Sequence, residues 1–436
     1  MPAAANPAAP RSSAPRVLVI SQVYVPDPAS VGQHMADAAE ELARRGYRVR
    51  VLTSRRGYDD PAKKYPARED LNGVDVVRLP FSSLGKATIL HRVVGQLSFL
   101  FQAIVRGLFT PGLRGMLVST SPPMAAIAAI VIRLFRRAPI TYWVMDLNPD
   151  QVIASGHMKP TALAVRALDW LNRRILNAAA EVVALDRFMA DRLRAKLEHS
   201  PGRLAALEQK ISTMPPWPML TAQEEVPRDT NPFRQKQGWG DRRVIMYSGN
   251  HGLTTPVDTL VEAALRLRDD DRLVFAFIGG GAGKEVVDRA IAEHAPRNLV
   301  SLPYQPLSEI KYSLSSADVH VVLMNEALVG IVHPCKVYGA MSVSRPLLYF
   351  GPRPSHITEL LDAGDIGWQG TQGDVDGAVA ILQEIAARPL EQLAEQGRHA
   401  QRMLTERLSR EALREAFCDV VVRGVNRAVD AEPAHG

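Results

Sequence analysis

The sequence predicts an α/β protein built from two Rossmann-like, doubly wound domains that face a central cleft. Short apolar runs alternate with amphipathic helical segments along nearly the whole chain, which is typical of open parallel sheets. This alternation restarts after a proline-rich stretch, and the length of 436 residues also favours two hydrophobic cores. A composition with 46% hydrophobic and 22% charged residues fits a globular protein and excludes the disordered and fibrous classes.

The first domain is predicted to cover residues 16–220. An Ala-, Pro- and Ser-rich stretch, residues 1–15, lacks the apolar block of a secretion signal, so we expect a disordered tail there. The opening strand, Arg16–Val23, is a continuous apolar run of the kind covered on both faces, and an amphipathic helix that stops at Gly46 follows it. The later predicted strands are Arg48–Thr53, Val74–Leu79, Met116–Ser119, Ile140–Val144 and Val182–Leu185.

The second domain is predicted to cover residues 221–408. The stretch Pro215–Pro232 is rich in proline and polar residues, which indicates a hinge between the domains. Residues 409–436 hold a last helix, Arg410–Arg423, that we expect to cross back to the first domain, followed by a tail. The predicted strands are Val244–Ser248, Leu273–Ile278, Val319–Met324 and Leu347–Phe350, and the predicted helices are Pro256–Arg268, Lys284–His294 and Lys336–Ser342.

Charge and cysteine content limit the function classes. The 52 Lys and Arg residues against 46 Asp and Glu residues give a net charge of +6, a modest excess that does not favour nucleic-acid binding. Cys335 and Cys418 are the only two cysteines and lie far apart in the sequence. We therefore expect no disulfide framework and a reducing compartment.

The most apolar segment is Ile89–Phe109. Charged and polar side chains interrupt it, so it falls short of the roughly 20 apolar residues that span a bilayer. Its Leu97, Leu100, Phe101 and Ile104 recur at helical spacing. Two interpretations stay open: a helix that lies at a membrane interface, and a helix packed on its own sheet.

A glycine turn and a lysine predict an anion site in the second domain. The strand Val244–Ser248 runs into the turn Gly249–Gly252, and a glycine turn lets backbone N–H groups approach an anion. Lys336 opens a helix directly after His333–Cys335, where the helix dipole disfavours a cation unless an anion is bound. The glycine turn and Lys336 together suit the binding of a diphosphate. The alternatives are a solvated surface position for Lys336 and an ordinary hydrogen-bonded role for His333.

Two loops at the carboxyl edge of the first sheet are further candidates, since ligands of open α/β sheets bind at that edge. In the loop Tyr24–His34, Gly32 permits close approach of a ligand and Ser30 can cap the next helix. Asp146 directly follows another strand, where its carboxylate could accept a proton from a hydroxyl or hydrogen-bond a sugar. The alternatives are a capped loop without function and a turn or N-cap aspartate.

Missing motifs disfavour several other reactions. Gly279–Lys284 follows a strand but lacks the spacing of an ATPase phosphate loop, so its glycines fit a base, ribose or phosphate lying against the backbone. No serine elbow occurs and no dinucleotide fingerprint follows the first strand, which disfavours hydrolases and dehydrogenases. No histidine pair or Asp-x-Asp pair has the ligand spacing of a metal site.

Together these residues resemble glycosyltransferase family 4, within the GT-B fold, and more narrowly the bacterial surface-polysaccharide transferases of the colanic-acid and O-antigen kind. The resemblance covers nearly the whole chain. It rests on the motifs Tyr24–Pro26 with Val31–Gln33, Ser119–Pro123, Asp146–Asp150 with Ala154 and Gly156, Tyr247–Gly252, and Pro334–Tyr338 leading to Ser344–Pro346.

The resemblance implies a retaining, metal-independent and cofactor-free transfer of a hexosyl or N-acetylhexosaminyl group from a nucleotide-diphosphate sugar, in the first place a UDP-sugar. Lys336 and Asp146 are the catalytic candidates. The expected donor-binding residues are Gly249, Asn250, His251, Gly252, Gly279, Gly280, Gly281, His333, Pro334, Cys335, Tyr338 and Glu359. The expected acceptor-binding residues, which would hold a saccharide that is free or lipid-linked, are Ser30, Val31, Gly32, Gln33, Asn148 and Asp150.

The resemblance also implies a cytoplasmic protein with peripheral contact to the inner face of the cytoplasmic membrane and no nucleic-acid partner. The chain departs from the wider family's two glutamates separated by seven residues, because these positions hold Ile331 and Gly339. Cys335 also stands where the branch usually has serine. Two alternatives stay open: a nucleotide-sugar 2-epimerase of the same fold, and a non-catalytic scaffold that binds a nucleotide sugar.

Overall fold

The fold consists of two parallel-sheet domains, as the sequence predicts. A computed structural model describes residues 14–27, 29–57, 62–82, 89–219, 225–252 and 255–430. Most of the predicted tail and the predicted domain boundary at residue 220 lie outside these described residues.

The first domain is built around one large sheet. Its elements are β1 (Arg16–Ile20), α1 (Ser30–Arg44), β2 (Arg48–Ser54), β3 (Arg68–Leu71), β4 (Val74–Leu79), α2 (Ile89–Leu108), β5 (Leu113–Ser119), α3 (Ala125–Arg136), β6 (Ile140–Trp143), α4 (Asp150–Ala154), α5 (Leu163–Ala178), β7 (Glu181–Ala184), α6 (Arg187–Ala195), α7 (Pro201–Glu208) and β8 (Ile211–Thr213). Within the described residues, eight strands pair in the order β3-β4-β2-β1-β5-β6-β7-β8. Only β3 and β4 run antiparallel. Every residue of β1 is buried, which fits a strand covered by helices on both faces.

The second domain repeats this plan with a smaller sheet. Its elements are α8 (Pro232–Lys236), β9 (Arg243–Asn250), α9 (Asp258–Arg266), β10 (Leu273–Gly280), α10 (Lys284–His294), β11 (Leu299–Leu302), α11 (Ile310–Ser315), β12 (Val319–Leu323), α12 (Lys336–Ser342), β13 (Leu347–Phe350), α13 (His356–Asp362), β14 (Gly367–Gly370), α14 (Val375–Ala387) and α15 (Leu390–Arg407). The helix α16 (Arg410–Asp430) follows this domain. Within the described part of the chain, six strands pair in the order β11-β10-β9-β12-β13-β14. All of these pairs are parallel.

The four strands that the sequence did not predict are β3, β8, β11 and β14, and each lies at an edge of its sheet. Their side chains are mostly half-buried or exposed. An edge strand faces a neighbour on one side only, so it needs no continuous apolar run and gives a weaker sequence signal.

The last helix, α16, lies against the first domain. Arg45, the residue after α1, pairs with Asp419 of α16 at 2.6 Å. The carboxylate of Glu181 in β7 is fully buried and pairs with Arg423 at 3.1 Å and with Arg427 at 3.0 Å. The end of the chain therefore packs on the sheet formed by its beginning.

Candidate functional site

A cavity of about 730 Å³ lies between the two domains. Val25 of the loop after β1, with Ser30 and Gln33 of the first turn of α1, lines it from the first domain. Gly249 at the end of β9 and Lys336 at the start of α12 line it from the second domain. The carboxyl edges of both sheets therefore face one cleft, which is where open α/β sheets bind ligands.

Lys336 reaches the glycine turn inside this cavity. Its ammonium group lies 3.9 Å from the centre of the Tyr247 ring and donates hydrogen bonds to the Tyr247 hydroxyl and, at 3.0 Å, to the Asn250 carbonyl. Gly249 has a φ of +125°, and a Cβ atom there would come within 2.8 Å of Lys336 Cε. A side chain at position 249 would thus collide with the lysine as well as strain the backbone.

The environment of Lys336 suits an anion. Burial lowers the pKa of Lys336 to about 7. Its described hydrogen-bond partners are neutral oxygens, so the cation is desolvated without a carboxylate to balance it. A bound diphosphate would supply the missing negative charge.

The glycine turn begins later than the sequence predicts. Strand β9 continues through Gly249 and Asn250, which pair in register with Gly279 and Gly280 of β10. A Cβ atom at Gly279 would lie 1.9 Å from the Gly249 carbonyl oxygen, so these strand ends approach more closely than other residues allow. Gly281 follows directly, and residues 253–254 lie outside the described residues.

His251 is buried beneath the turn. Its ring packs on Tyr247 with the centroids 4.7 Å apart. Burial lowers the pKa of His251 to about 4, and the positive charges of Lys336 and Lys284 act in the same direction. The imidazole is therefore neutral near pH 7, and His251 does not line the cavity.

Of the remaining donor-site candidates, Cys335 and Tyr338 line the cavity, whereas His333 and Glu359 do not. The other predicted donor residues outside the lining are Asn250, Gly252, Gly279, Gly280, Gly281 and Pro334. His333 is buried between the domains, with Nδ1 2.8 Å from the Asp186 carboxylate. Glu359 pairs with Arg187 of the first domain. Both side chains thus contact the first domain, and their predicted role in donor binding stays a prediction.

Asp146 precedes Leu147, whose N–H donates to Ile331 of the second domain, and its charge acts on Cys335. Asp146 itself does not line the cavity. Its backbone N–H donates to the Thr120 hydroxyl at 3.1 Å. Burial raises the pKa of Asp146 to about 6. Burial, and then the charge of Asp146, raise the pKa of the Cys335 thiol to about 12, so this cysteine is not a reactive thiolate.

The other acceptor-site candidates divide into two groups. Val31 and Gly32 belong to the first turn of α1, next to the lining residues Ser30 and Gln33. Asp150, in contrast, pairs with Lys196 at 2.6 Å, and the Asn148 amide lies 3.4 Å from the Gln151 amide oxygen. These two side chains are engaged within the first domain and outside the cavity lining.

Two contributors were not predicted from the sequence. Tyr247 holds the Lys336 ammonium, and Asp186 binds His333 across the domains. A buried tyrosine in a strand and an aspartate before a helix are both common, so neither gives a signal by itself. The signal that could have revealed them is their pairing with Lys336 and His333, which only the fold provides.

Two further observations concern metals and membranes. Among the described residues, no group of three or more His, Cys, Asp and Glu side chains is arranged to hold a metal ion. In the same part of the chain, no helix combines the length and the apolar character needed to cross a bilayer.

The comparison with protein families matches residues 30–208 to a glycosyl transferase 4-like domain. Together with the curated relatives, this match supports a glycosyltransferase of family 4. It is 25% identical to "Probable glycosyltransferase WbjE" of Pseudomonas aeruginosa over 383 residues, which cover 87% of this chain and 91% of that protein. It is 24% identical to "Putative colanic acid biosynthesis glycosyl transferase WcaI" of Escherichia coli K12, over 75% of this chain and 81% of that protein.

Solved structures show that the two-domain architecture is the GT-B fold. Sucrose-phosphate synthase from Thermosynechococcus elongatus aligns with a TM-score of 0.73 and 14% identity over 95% of this chain and all of that one. The Anabaena protein HepE, in complex with UDP-glucose, aligns with a TM-score of 0.66 and 13% identity over 94% of this chain and 99% of that one. At these identities the likeness concerns the fold alone.

Proposed function

We propose that this glycosyltransferase moves a hexosyl or N-acetylhexosaminyl group from a nucleotide-diphosphate sugar to a saccharide acceptor in surface-polysaccharide synthesis, with retention of anomeric configuration. The observation that carries the proposal is the Lys336 ammonium, held beside the glycine turn at the wall of the interdomain cavity. The name of WcaI supports the pathway, and the complex of HepE with UDP-glucose supports a UDP-sugar donor.

The chemistry follows from the charge that develops during transfer. As the bond between sugar and diphosphate breaks, negative charge grows on the leaving group, and Lys336 with the backbone around Gly249–Gly252 would meet it. By analogy with other oxyanion donors, each such group is worth about 3 kcal/mol in the transition state. Because these groups supply the counter-charge, we propose a reaction that needs no metal.

We assign the acceptor to the first domain. Asp146 would orient the acceptor hydroxyl or stabilise positive charge at the sugar carbon, since its charge acts on Cys335, which lines the cavity. The cavity takes residues from both domains, so closure would surround the reacting groups and exclude water.

We also propose that the acceptor is lipid-linked and that the enzyme meets it at an anionic membrane surface. Helix α2 buries Phe99, Leu100 and Ala103 in its own domain, yet its opposite face exposes Phe101 and, just beyond its end, Phe109. Leu134 and Phe135, at the end of the adjoining α3, are also exposed. Arg106, Arg133 and Arg137 lie within this docking surface, formed by α2 and the end of α3, and suit anionic headgroups.

Sugar transfer tests the enzymatic proposal directly. We expect radiolabel to pass from a UDP-sugar, chosen by screening, to a bacterial lipid extract, and to do so equally with a chelator present. Lys336→Met should lower turnover at least about tenfold with the fold intact by circular dichroism. The matched control is Lys236→Met, which removes an exposed lysine in α8.

Three outcomes would contradict this proposal. Unchanged turnover in Lys336→Met would remove the lysine from the mechanism. Activity that needs added magnesium would refute metal independence. Conversion of the nucleotide sugar without any acceptor would identify an epimerase instead.

A further inference from the structure

The segment between Leu328 and α12, residues 329–335, belongs to the second domain but is attached to the first; we call it the bridging loop. The Leu147 N–H donates to the Ile331 carbonyl at 2.9 Å. Arg192 of α6 donates to the Val329 carbonyl at 3.3 Å. Gly330 has a φ of +73°, and a Cβ atom there would lie 2.5 Å from the Phe188 carbonyl oxygen. The two backbones therefore touch at this point.

The last attachment of the bridging loop is a buried chain of hydrogen bonds. Asp186 accepts from the Met189 N–H at 2.8 Å, which caps α6, and its other carboxylate oxygen lies 2.8 Å from His333 Nδ1. His333 Nε2 lies 2.7 Å from the Tyr338 hydroxyl. That hydroxyl lies 3.0 Å from His356 Nε2. The chain thus leads from α6 of the first domain to α12 and α13 of the second.

The protonation states of Asp186 and His356 support a stable hydrogen bond between Asp186 and His333. Burial acts to raise the pKa of Asp186, but the hydrogen bond and charge of His333 outweigh it and lower the pKa. Burial, and then the charge of His333, lower the pKa of His356 to about 3. Near pH 7, Asp186 is therefore an anion that accepts from His333, and His356 is neutral.

We propose that Asp186 and His333 are positioning residues for sugar transfer, which fix the bridging loop to the first domain and thereby set where Lys336 lies relative to Asp146. His333 precedes Lys336 by three residues, and the Leu147 amide that binds Ile331 follows Asp146 directly. Neither Asp186 nor His333 lines the cavity, so both act through other residues. This inference rests on the proposed function.

Four variants separate the interdomain contact from the rest of the chain. Asp186→Ser keeps a capping hydroxyl for α6 but is too short to reach His333. In His333→Gln the side-chain amide lies near the former position of Nε2, so the hydrogen bond to Asp186 is lost. In His333→Asn the amide lies near the former position of Nδ1, so the hydrogen bond to Asp186 is kept. Tyr338→Phe removes only the hydrogen bonds within the second domain. The control, Arg187→Gln, removes a half-exposed ion pair at the same interface.

The experiment measures turnover, the dissociation constant for UDP, and hydrogen–deuterium exchange of the peptide that contains the Leu147 amide. We expect Asp186→Ser and His333→Gln to lower turnover at least about tenfold and to speed exchange at Leu147, with UDP affinity within about threefold of wild type. His333→Asn, Tyr338→Phe and Arg187→Gln should keep wild-type exchange at Leu147.

Wild-type exchange and turnover in Asp186→Ser would overturn the inference. Equal losses of UDP affinity and turnover would also overturn it, because they would indicate general damage to the second domain. If the wild-type enzyme transfers no sugar at all, the proposed function fails, while exchange at Leu147 still decides for or against the positioning contact.

Discussion

Lys336 illustrates how one buried charge can link ligand binding to pH. In the folded protein its pKa falls from 10.5 to about 7. Between these values the unfolded chain binds more protons, so burial of the lysine costs stability at low pH and the cost disappears as pH rises through this range. An anion beside the amine would restore the proton, because an opposite charge favours the ammonium form.

Proton uptake on UDP binding tests this argument. At pH 8 the free enzyme should hold Lys336 mostly neutral, so binding of UDP should take up close to one additional proton compared with Lys336→Arg, whose guanidinium stays charged. The measurement is titration calorimetry in two buffers that differ in ionisation enthalpy. Equal proton uptake by the two proteins would show that the lysine does not meet the diphosphate.

The sequence predicts single residues of the site unevenly. Lys336 and Gly249 can be identified from the sequence. The helix dipole disfavours a lysine at a helix start unless an anion is bound, and a glycine after a strand permits a close approach to the backbone. Asp150 and Glu359 fit the family pattern equally well, yet the fold pairs them with Lys196 and Arg187. Which partner a surface carboxylate finds depends on neighbours from distant parts of the chain, and one sequence does not contain that information.

At the scale of elements, buried strands were predictable and edge strands were not. The interior strands β1 and β10 are almost entirely buried. Because a strand that is buried on both faces needs apolar side chains at nearly every position, its sequence is a continuous apolar run. Helix α2 shows what the spacing of apolar residues cannot decide, namely whether a helix packs on its own sheet or lies at a membrane interface. Its sequence allowed either a packed or an interfacial helix, and the structure shows packing on one face and exposed apolar residues on the other.

The docking surface formed by α2 and the end of α3 leads to a prediction for membrane binding. Phe109 and Phe135 are 81% and 73% exposed, so serine at both positions removes apolar contact with lipid at little cost in stability. In sedimentation with vesicles of phosphatidylglycerol and phosphatidylethanolamine, wild type should pellet at low salt and less so at high salt. The double variant Phe109→Ser/Phe135→Ser should remain in the supernatant.

The matched control for this docking surface is Leu390→Ser, which removes an exposed leucine of α15 in the second domain and should pellet like wild type. Salt should matter because headgroup attraction is screened beyond a Debye length, about 8 Å at 0.15 M. Wild-type protein that stays in the supernatant at low salt would contradict the membrane proposal and leave the transfer chemistry untouched.

At the scale of the whole molecule, the two domains share one buried cluster, and the second domain also has two clusters of its own. A single cluster of buried side chains runs from the strands of the first domain to Ile331, Val337 and Tyr338 of the second. Phe417 of α16 belongs to it, with its ring centroid 4.2 Å from that of Trp143 and 5.6 Å from that of Trp217. If either domain unfolds, buried side chains from both the beginning and the end of the chain therefore lose their packing partners.

This shared core predicts that the protein unfolds as one unit. Scanning calorimetry should show a single transition, because separation of the domains would expose a continuous apolar cluster. Phe417→Ala should move this whole transition to lower temperature, since emptying a buried aromatic site costs about 3–5 kcal/mol. Leu390→Ala, at an exposed position, should leave the midpoint unchanged. Two separate transitions, of which Phe417→Ala shifts only one, would show that the domains are stabilised independently and that the cluster does not couple them.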